Sequence, residues 1–148
     1  MRFLREAGIT ELDALLHFNL APLSVRRDIA MLGIIHRCVL GDGPPQFSKY
    51  FELDTGYDSG YSTRLAEGKH SKHLKKLRTT SSSEVMKRSI LGLIAIYNML
   101  PEEVVMCSET SDFQTALQDL VKIRAVAGCD DWKLTLSPRV PLRFHPLR

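Results

Sequence analysis

Paired cysteines, long apolar runs and glycine-rich phosphate loops are what this sequence of 148 residues lacks. Its three cysteines, Cys38, Cys107 and Cys129, are odd in number, far apart and without a C-x-x-C spacing. That excludes a disulfide framework and a zinc knuckle, and favours reduced thiols in an intracellular protein, cytoplasmic or nuclear. The longest apolar run, "ILGLIAIYNML", stops at Leu100 and falls short of the roughly 18 residues a membrane span requires, so no membrane partner is expected. Acidic residues interrupt the N-terminal "MRFLREAGITE", which therefore lacks the unbroken apolar stretch of a secretory signal. None of the patterns G-x-x-x-x-G-K-[ST], G-x-G-x-x-G, H-E-x-x-H or G-x-S-x-G occurs. The expectation is a chain that is not an enzyme and holds no cofactor.

What is present is ordinary in bulk and uneven in place. An apolar fraction of 44% and a charged fraction of 25% fit a soluble globular chain of one domain and exclude collagen-like and wholly disordered classes. The net charge of +3 conceals a basic segment. Residues 62–88 hold eight cationic side chains (Arg64, Lys69, Lys72, Lys75, Lys76, Arg78, Lys87 and Arg88) against Glu67 and Glu84, an excess of +6 that leaves −3 for the remainder. An excess of this kind attracts polyanions, and Tyr57 and Tyr61 just upstream could stack on bases. A solvated loop carries the same composition, so both readings stand.

The apolar periodicity is helical, and the fold class expected is mostly α, with about four helices near residues 10–18, 24–40, 83–99 and 111–127. Thr10 with Asp13 forms an acidic capping box ahead of Leu12, Leu15 and Leu16. Ser24 is a good N-cap for a long helix whose buried stripe is Val25, Ile29, Leu32, Ile35 and Val39, and "GDGPP" stops it. "QFSKYF" suits one further turn, with Phe47, Tyr50 and Phe51 as anchors. Ser83 starts a third helix with Val85, Met86, Ile90, Leu93, Ile94 and Tyr97 on one face. Pro101 opens a short turn, and Ser111 with Gln114 forms a capping box for the last helix, ended by Gly128. The expected organisation is a helical pair over 1–51, a basic, partly disordered loop or linker over 52–82, a second pair over 83–128 and an irregular tail over 129–148.

Local chemistry offers three candidates, each with a plainer explanation. Asp54-Thr55-Gly56 matches the catalytic loop of aspartic proteases, and Ile90-Leu91-Gly92 imitates a later element of them. That fold needs strands and a glycine-rich flap, where this chain has a lysine-rich stretch and a helical pattern; a retroviral-type protease stays the remote alternative, and an Asp-Gly turn accounts for the tripeptide. Asp130-Asp131 resembles a two-metal hairpin but follows a helix stop and reads as a solvated turn. His70 and His73, three apart, could share a helical face as metal ligands, yet the lysines around them place them with the basic patch. His17 and His36 lie near apolar faces and read as satisfied core residues.

Several segments, in order, resemble the part that follows the reverse transcriptase domain in non-LTR (LINE-type) retrotransposon polyproteins. Leu20, Pro22, Arg26 and Arg27 match an L-P-x-x-x-R-R entry, and Leu32, His36, Gly41 and Pro44 match the L-x-x-x-H-x-x-x-x-G-x-x-P helix that follows. Asn98, Leu100, Pro101, Phe113 and Leu117 match the closing W-N-x-L-P and F-x-x-x-L pattern, with Tyr97 in place of the usual Trp; Ser62 to Arg64 suits the basic section between. The likeness covers residues 10–122. It implies a non-catalytic C-terminal segment, with the polymerase palm and its aspartates upstream of Met1, and RNA, single-stranded DNA or the rest of a reverse transcriptase as partners. A helical protein-interaction module and a functionless remnant are the alternatives.

Overall fold

A computed structural model describes residues 2–54, 70–76 and 84–148. The chain is mostly α, as its periodicity implies: among the described residues there are eight α-helices and no strand. Two long helices, α3 (Leu23–Leu40) and α8 (Thr110–Val126), pack against each other and form the frame. Short helices surround them: α1 (Arg2–Glu6), α2 (Glu11–Phe18), α4 (Pro45–Ser48), α5 (Glu84–Arg88), α6 (Ile94–Tyr97) and α7 (Glu102–Val105).

Local chemistry explains most boundaries. The Thr10 hydroxyl accepts the Asp13 amide at 3.1 Å and donates to its carboxylate at 2.6 Å, closing the expected capping box of α2. Helix α3 begins one residue before the expected start, because Pro22 takes the cap position and Ser24 lies inside the first turn. Proline has no amide to leave unpaired there, and its fixed φ suits helix entry. Gly41, at φ 89°, ends the helix, with the Asp42 amide reaching back to the Arg37 carbonyl at 2.9 Å. Helix α8 starts at Thr110 rather than with a Ser111–Gln114 box. The Gln114 amide lies instead over Gly33 of α3, where a Cβ would come within 2.5 Å of its Nε2.

The largest departure is the third helix. The continuous helix expected over 83–99 is broken into α5, a 3-10 turn (Ile90–Leu93) and α6. Ser89 is extended, and its hydroxyl donates to the Met86 carbonyl at 2.7 Å while accepting the Leu91 amide at 3.2 Å. A serine side chain that replaces helical backbone bonds in this way ends one helix and caps the next turn. Gly92 then closes on the Lys87 carbonyl, which a Cβ would meet at 2.6 Å. As a result Val85, expected on the buried face, is 76% exposed.

Among the described residues one hydrophobic cluster joins α2, α3, α6, α7, α8, residues 51 and 74 and the C-terminal tail. Leu32 and Ile35 of α3, Phe113, Leu117 and Val121 of α8, and Leu93, Ile96 and Leu100 fill its centre. The C-terminal residues 129–148 are irregular, as expected, but they are packed: Trp132, Thr135, Leu136 and Ser137 are buried, and His145 donates from Nε2 to the Ser137 carbonyl at 3.0 Å. Of the three anchors expected near residue 50, only Phe51 is buried. His17, expected against the core, is exposed on α2. Within the expected loop over 52–82, the described residues 70–76 also join the core, through Leu74 and His70. A single leucine in a lysine run has no period for a sequence to display.

Candidate nucleic-acid interface

The segment 70–76 holds three of the eight cationic residues singled out by sequence and is fixed by its backbone together with the side chains of His70, Ser71 and Leu74. Asn98, just after α6, accepts the Leu74 amide at 2.8 Å and donates to the Leu74 carbonyl at 2.9 Å. Leu74 also pairs with Leu53 in an antiparallel bridge, in which the Asp54 amide donates to the His73 carbonyl at 2.7 Å and the Lys75 amide to the Glu52 carbonyl at 2.9 Å. At the other end Ser71 donates its amide and its hydroxyl to the Glu102 carboxylate of α7, both at 2.8 Å. Those two bonds, hydroxyl first, hold the Glu102 carboxyl below the usual carboxylate range.

His70 ties the segment to the core. Its Nε2 faces the Tyr97 carbonyl at 2.8 Å, and its Nδ1 accepts the Lys72 amide at 3.1 Å. A carbonyl only accepts and an amide only donates, so Nε2 carries the proton and Nδ1 the lone pair. The ring meets Tyr97 edge-on, with centroids 5.6 Å apart. His70 is therefore a buried strut, which separates it from the basic patch where the surrounding lysines had placed it. His73 stands 5.7 Å away, half-buried. Burial first, then His70 and Lys76, press its pKa below the ordinary histidine value, while Asp54 pulls the other way. No group of three or more metal-ligating side chains occurs among the described residues.

With the backbone committed inward, the lysine side chains face outward. Lys76 is exposed, Lys72 is half-buried, and Lys75 is exposed while lying 3.5 Å from Glu52. Lys87 and Arg88 are exposed on the last turn of α5, a different element. Arg64, Lys69 and Arg78 lie outside the described residues, as do Tyr57 and Tyr61. The described cationic side chains can act as point charges on phosphate.

The other candidates separate clearly. Of the protease-like loop only Asp54 is described, and Ile90–Gly92 lies in a 3-10 turn where a protease would carry a strand. Asp131 accepts from Arg124 at 2.9 Å in an exposed turn. The residues behind the retrotransposon resemblance are mostly core: His36, Tyr97, Phe113, Leu32, Leu100 and Leu117 are buried, and Gly41 ends α3. Sequence reasoning missed Asn98 as the clamp on Leu74, although its position in the W-N-x-L-P match singled it out.

No helix of the described residues is long and apolar enough to cross a membrane. Comparison of the chain with protein-family models, curated proteins and solved structures finds no match.

Proposed function

We propose that the chain is a non-catalytic helical segment that holds RNA or single-stranded DNA weakly and without sequence preference, in the manner of the C-terminal part of a non-LTR retrotransposon reverse transcriptase. The observation that carries this reading is the 70–76 segment, whose backbone is held by Asn98 and Glu102 and whose His70 side chain bonds the Tyr97 carbonyl, while Lys72, Lys75 and Lys76 reach the surface. Fixed lysines lose less freedom on meeting phosphate than lysines on a free coil. Lys87 and Arg88 are exposed on α5, and Arg64, Lys69 and Arg78 belong to the same run of sequence.

The test is anisotropy of a labelled single-stranded oligonucleotide at several salt concentrations. With about four to six phosphates engaged, the log–log salt slope is about −3 to −4, and Kd at physiological salt is about micromolar or weaker. Changing Lys69, Lys72, Lys75 and Lys76 together to Gln removes retention and leaves the helical circular dichroism intact. Salt-insensitive binding in the parent, or unchanged binding in the quadruple variant, overturns the reading. Primer extension on an RNA template, or pepstatin-sensitive peptide cleavage, overturns its non-catalytic part.

A second reading, a protein-interaction module, draws on the exposed apolar side chains near the start of the chain. Phe18 is 59% and Leu23 70% exposed, with Leu16 and Leu20 partly exposed beside them. Concentration-dependent association abolished by Phe18→Ser with Leu23→Ser favours it over nucleic-acid binding.

A further inference from the structure

We propose that capture of a polyanion by the Lys72–Lys76 edge is coupled to uptake of one proton at His73, so that binding tightens as pH falls. This rests on the nucleic-acid reading above and adds its regulation. His73 sits in the middle of the lysine-bearing segment, half-buried, with its carbonyl held by the Asp54 amide at 2.7 Å and its ring 5.7 Å from His70. Both ring nitrogens of His70 are hydrogen-bonded, to the Tyr97 carbonyl and the Lys72 amide.

The groups around His73 set the direction of the coupling. On its own segment stand His70, Lys72, Lys75 and Lys76; across the bridge stand Asp54 and Glu52, the latter 3.5 Å from Lys75. From α7 comes Glu102, already engaged by Ser71, and from α6 comes Tyr97 against His70. Without a ligand, burial and the nearby cationic groups keep the imidazole neutral more readily than in water, and Asp54 opposes them only in part. Phosphates seated on the lysines bring negative charge to the same five-residue stretch and favour the imidazolium. Linkage then runs both ways: the polyanion draws a proton onto His73, and that proton tightens the polyanion. The limit for one proton is about tenfold in Kd per pH unit.

The test uses the full chain and a labelled oligothymidylate, read by anisotropy from pH 8.0 to 6.0 at constant ionic strength, with circular dichroism at each pH to keep loss of fold separate. Kd of the parent is expected to tighten about three- to tenfold between pH 7.5 and 6.0. His73→Gln keeps the parent affinity at pH 8.0 and loses most of the pH dependence, while its salt slope stays. In parallel, the His73 imidazole signal in NMR titrates at higher pH with saturating oligothymidylate than without it. A parent Kd that does not change with pH, an unshifted His73 titration, or a His73→Gln variant with the full pH dependence overturns the coupling and leaves the binding reading in place. No binding at any pH overturns both.

Discussion

The Tyr97 hydroxyl and His36 Nδ1 lie 3.0 Å apart at the centre of the core, joining α6 to α3 across 61 residues of chain. The second ring nitrogen, Nε2, faces the Cys107 carbonyl at 2.8 Å, so it must donate, and Nδ1 must accept the Tyr97 proton. The imidazole also lies flat on Phe113, with centroids 4.0 Å apart and planes 4° from parallel. Burial pushes the Tyr97 phenol above its ordinary value, in keeping with its role as donor. One neutral histidine thus joins α3, α6, α8 and the segment after α7.

Removing the donor tests this arrangement. Tyr97→Phe preserves the ring and strands the buried His36 Nδ1, with an expected cost of about 1–3 kcal/mol in urea unfolding. His36→Ala removes the stacked ring as well and costs about 3–5 kcal/mol, enough to unfold a marginal domain. A loss below about 0.5 kcal/mol in Tyr97→Phe would show that the bond contributes little.

Acid should weaken the fold through the same residue. Burial above all, partly offset by the bond to Cys107, holds the His36 pKa below 6.5 in the folded chain. The unfolded chain therefore binds more protons as pH drops below 6.5, and stability falls until the folded-state pKa is passed. Thermal unfolding between pH 7.5 and 5.0 is expected to show a falling Tm. His36→Gln, though less stable throughout, should show a flatter decline; a parent Tm that rises on acidification contradicts this.

Asp28 acts with the opposite sign. It is buried on α3, and burial raises its pKa above 3.8 against the pull of Arg27, 3.4 Å away, and of Arg139. A carboxyl whose folded pKa is raised opposes folding when ionised and ceases to oppose it as pH falls through that pKa. Asp28→Asn is therefore expected to match or exceed the parent Tm at pH 7, with the gain shrinking toward pH 4. A large loss at pH 7 would identify the ion pair with Arg27 as the stronger effect.

The clamp on Leu74 is open to direct measurement. Asn98→Ala takes away both bonds to the Leu74 backbone and leaves a buried amide and carbonyl without them, at an expected cost of about 2–4 kcal/mol. Amide exchange at Leu74 should accelerate more than exchange at Leu117 of α8. Equal acceleration at both would mean that Asn98 supports the whole core rather than this segment.

Gly92 is expected to resist substitution. A Cβ there meets the Lys87 carbonyl at 2.6 Å, a backbone atom that cannot swing aside, so Gly92→Ala should cost about 1–3 kcal/mol despite alanine's better helix propensity. Should the variant gain stability, the continuous helix that the periodicity calls for has formed in place of the break at Ser89.

What the sequence determined by itself was local: the mostly α class, the α2 capping box at Thr10 and Asp13, the glycine stops at Gly41 and Gly128, and the apolar stripe of α3. Each depends on side-chain spacing along a helix or on the φ a residue tolerates, and both are written in consecutive residues. What only the tertiary structure decided was the use of residues whose partners lie far off in the chain. His36 needed Tyr97 and Phe113 to become a buried strut, Leu74 needed Asn98 to bring a lysine run onto the core, and Gln114 left its capping role to cover Gly33. The break at Ser89 belongs with them, since the helical period favours continuity there. With the break in place Leu93, Ile96 and Tyr97 are all buried, which removes apolar surface from water.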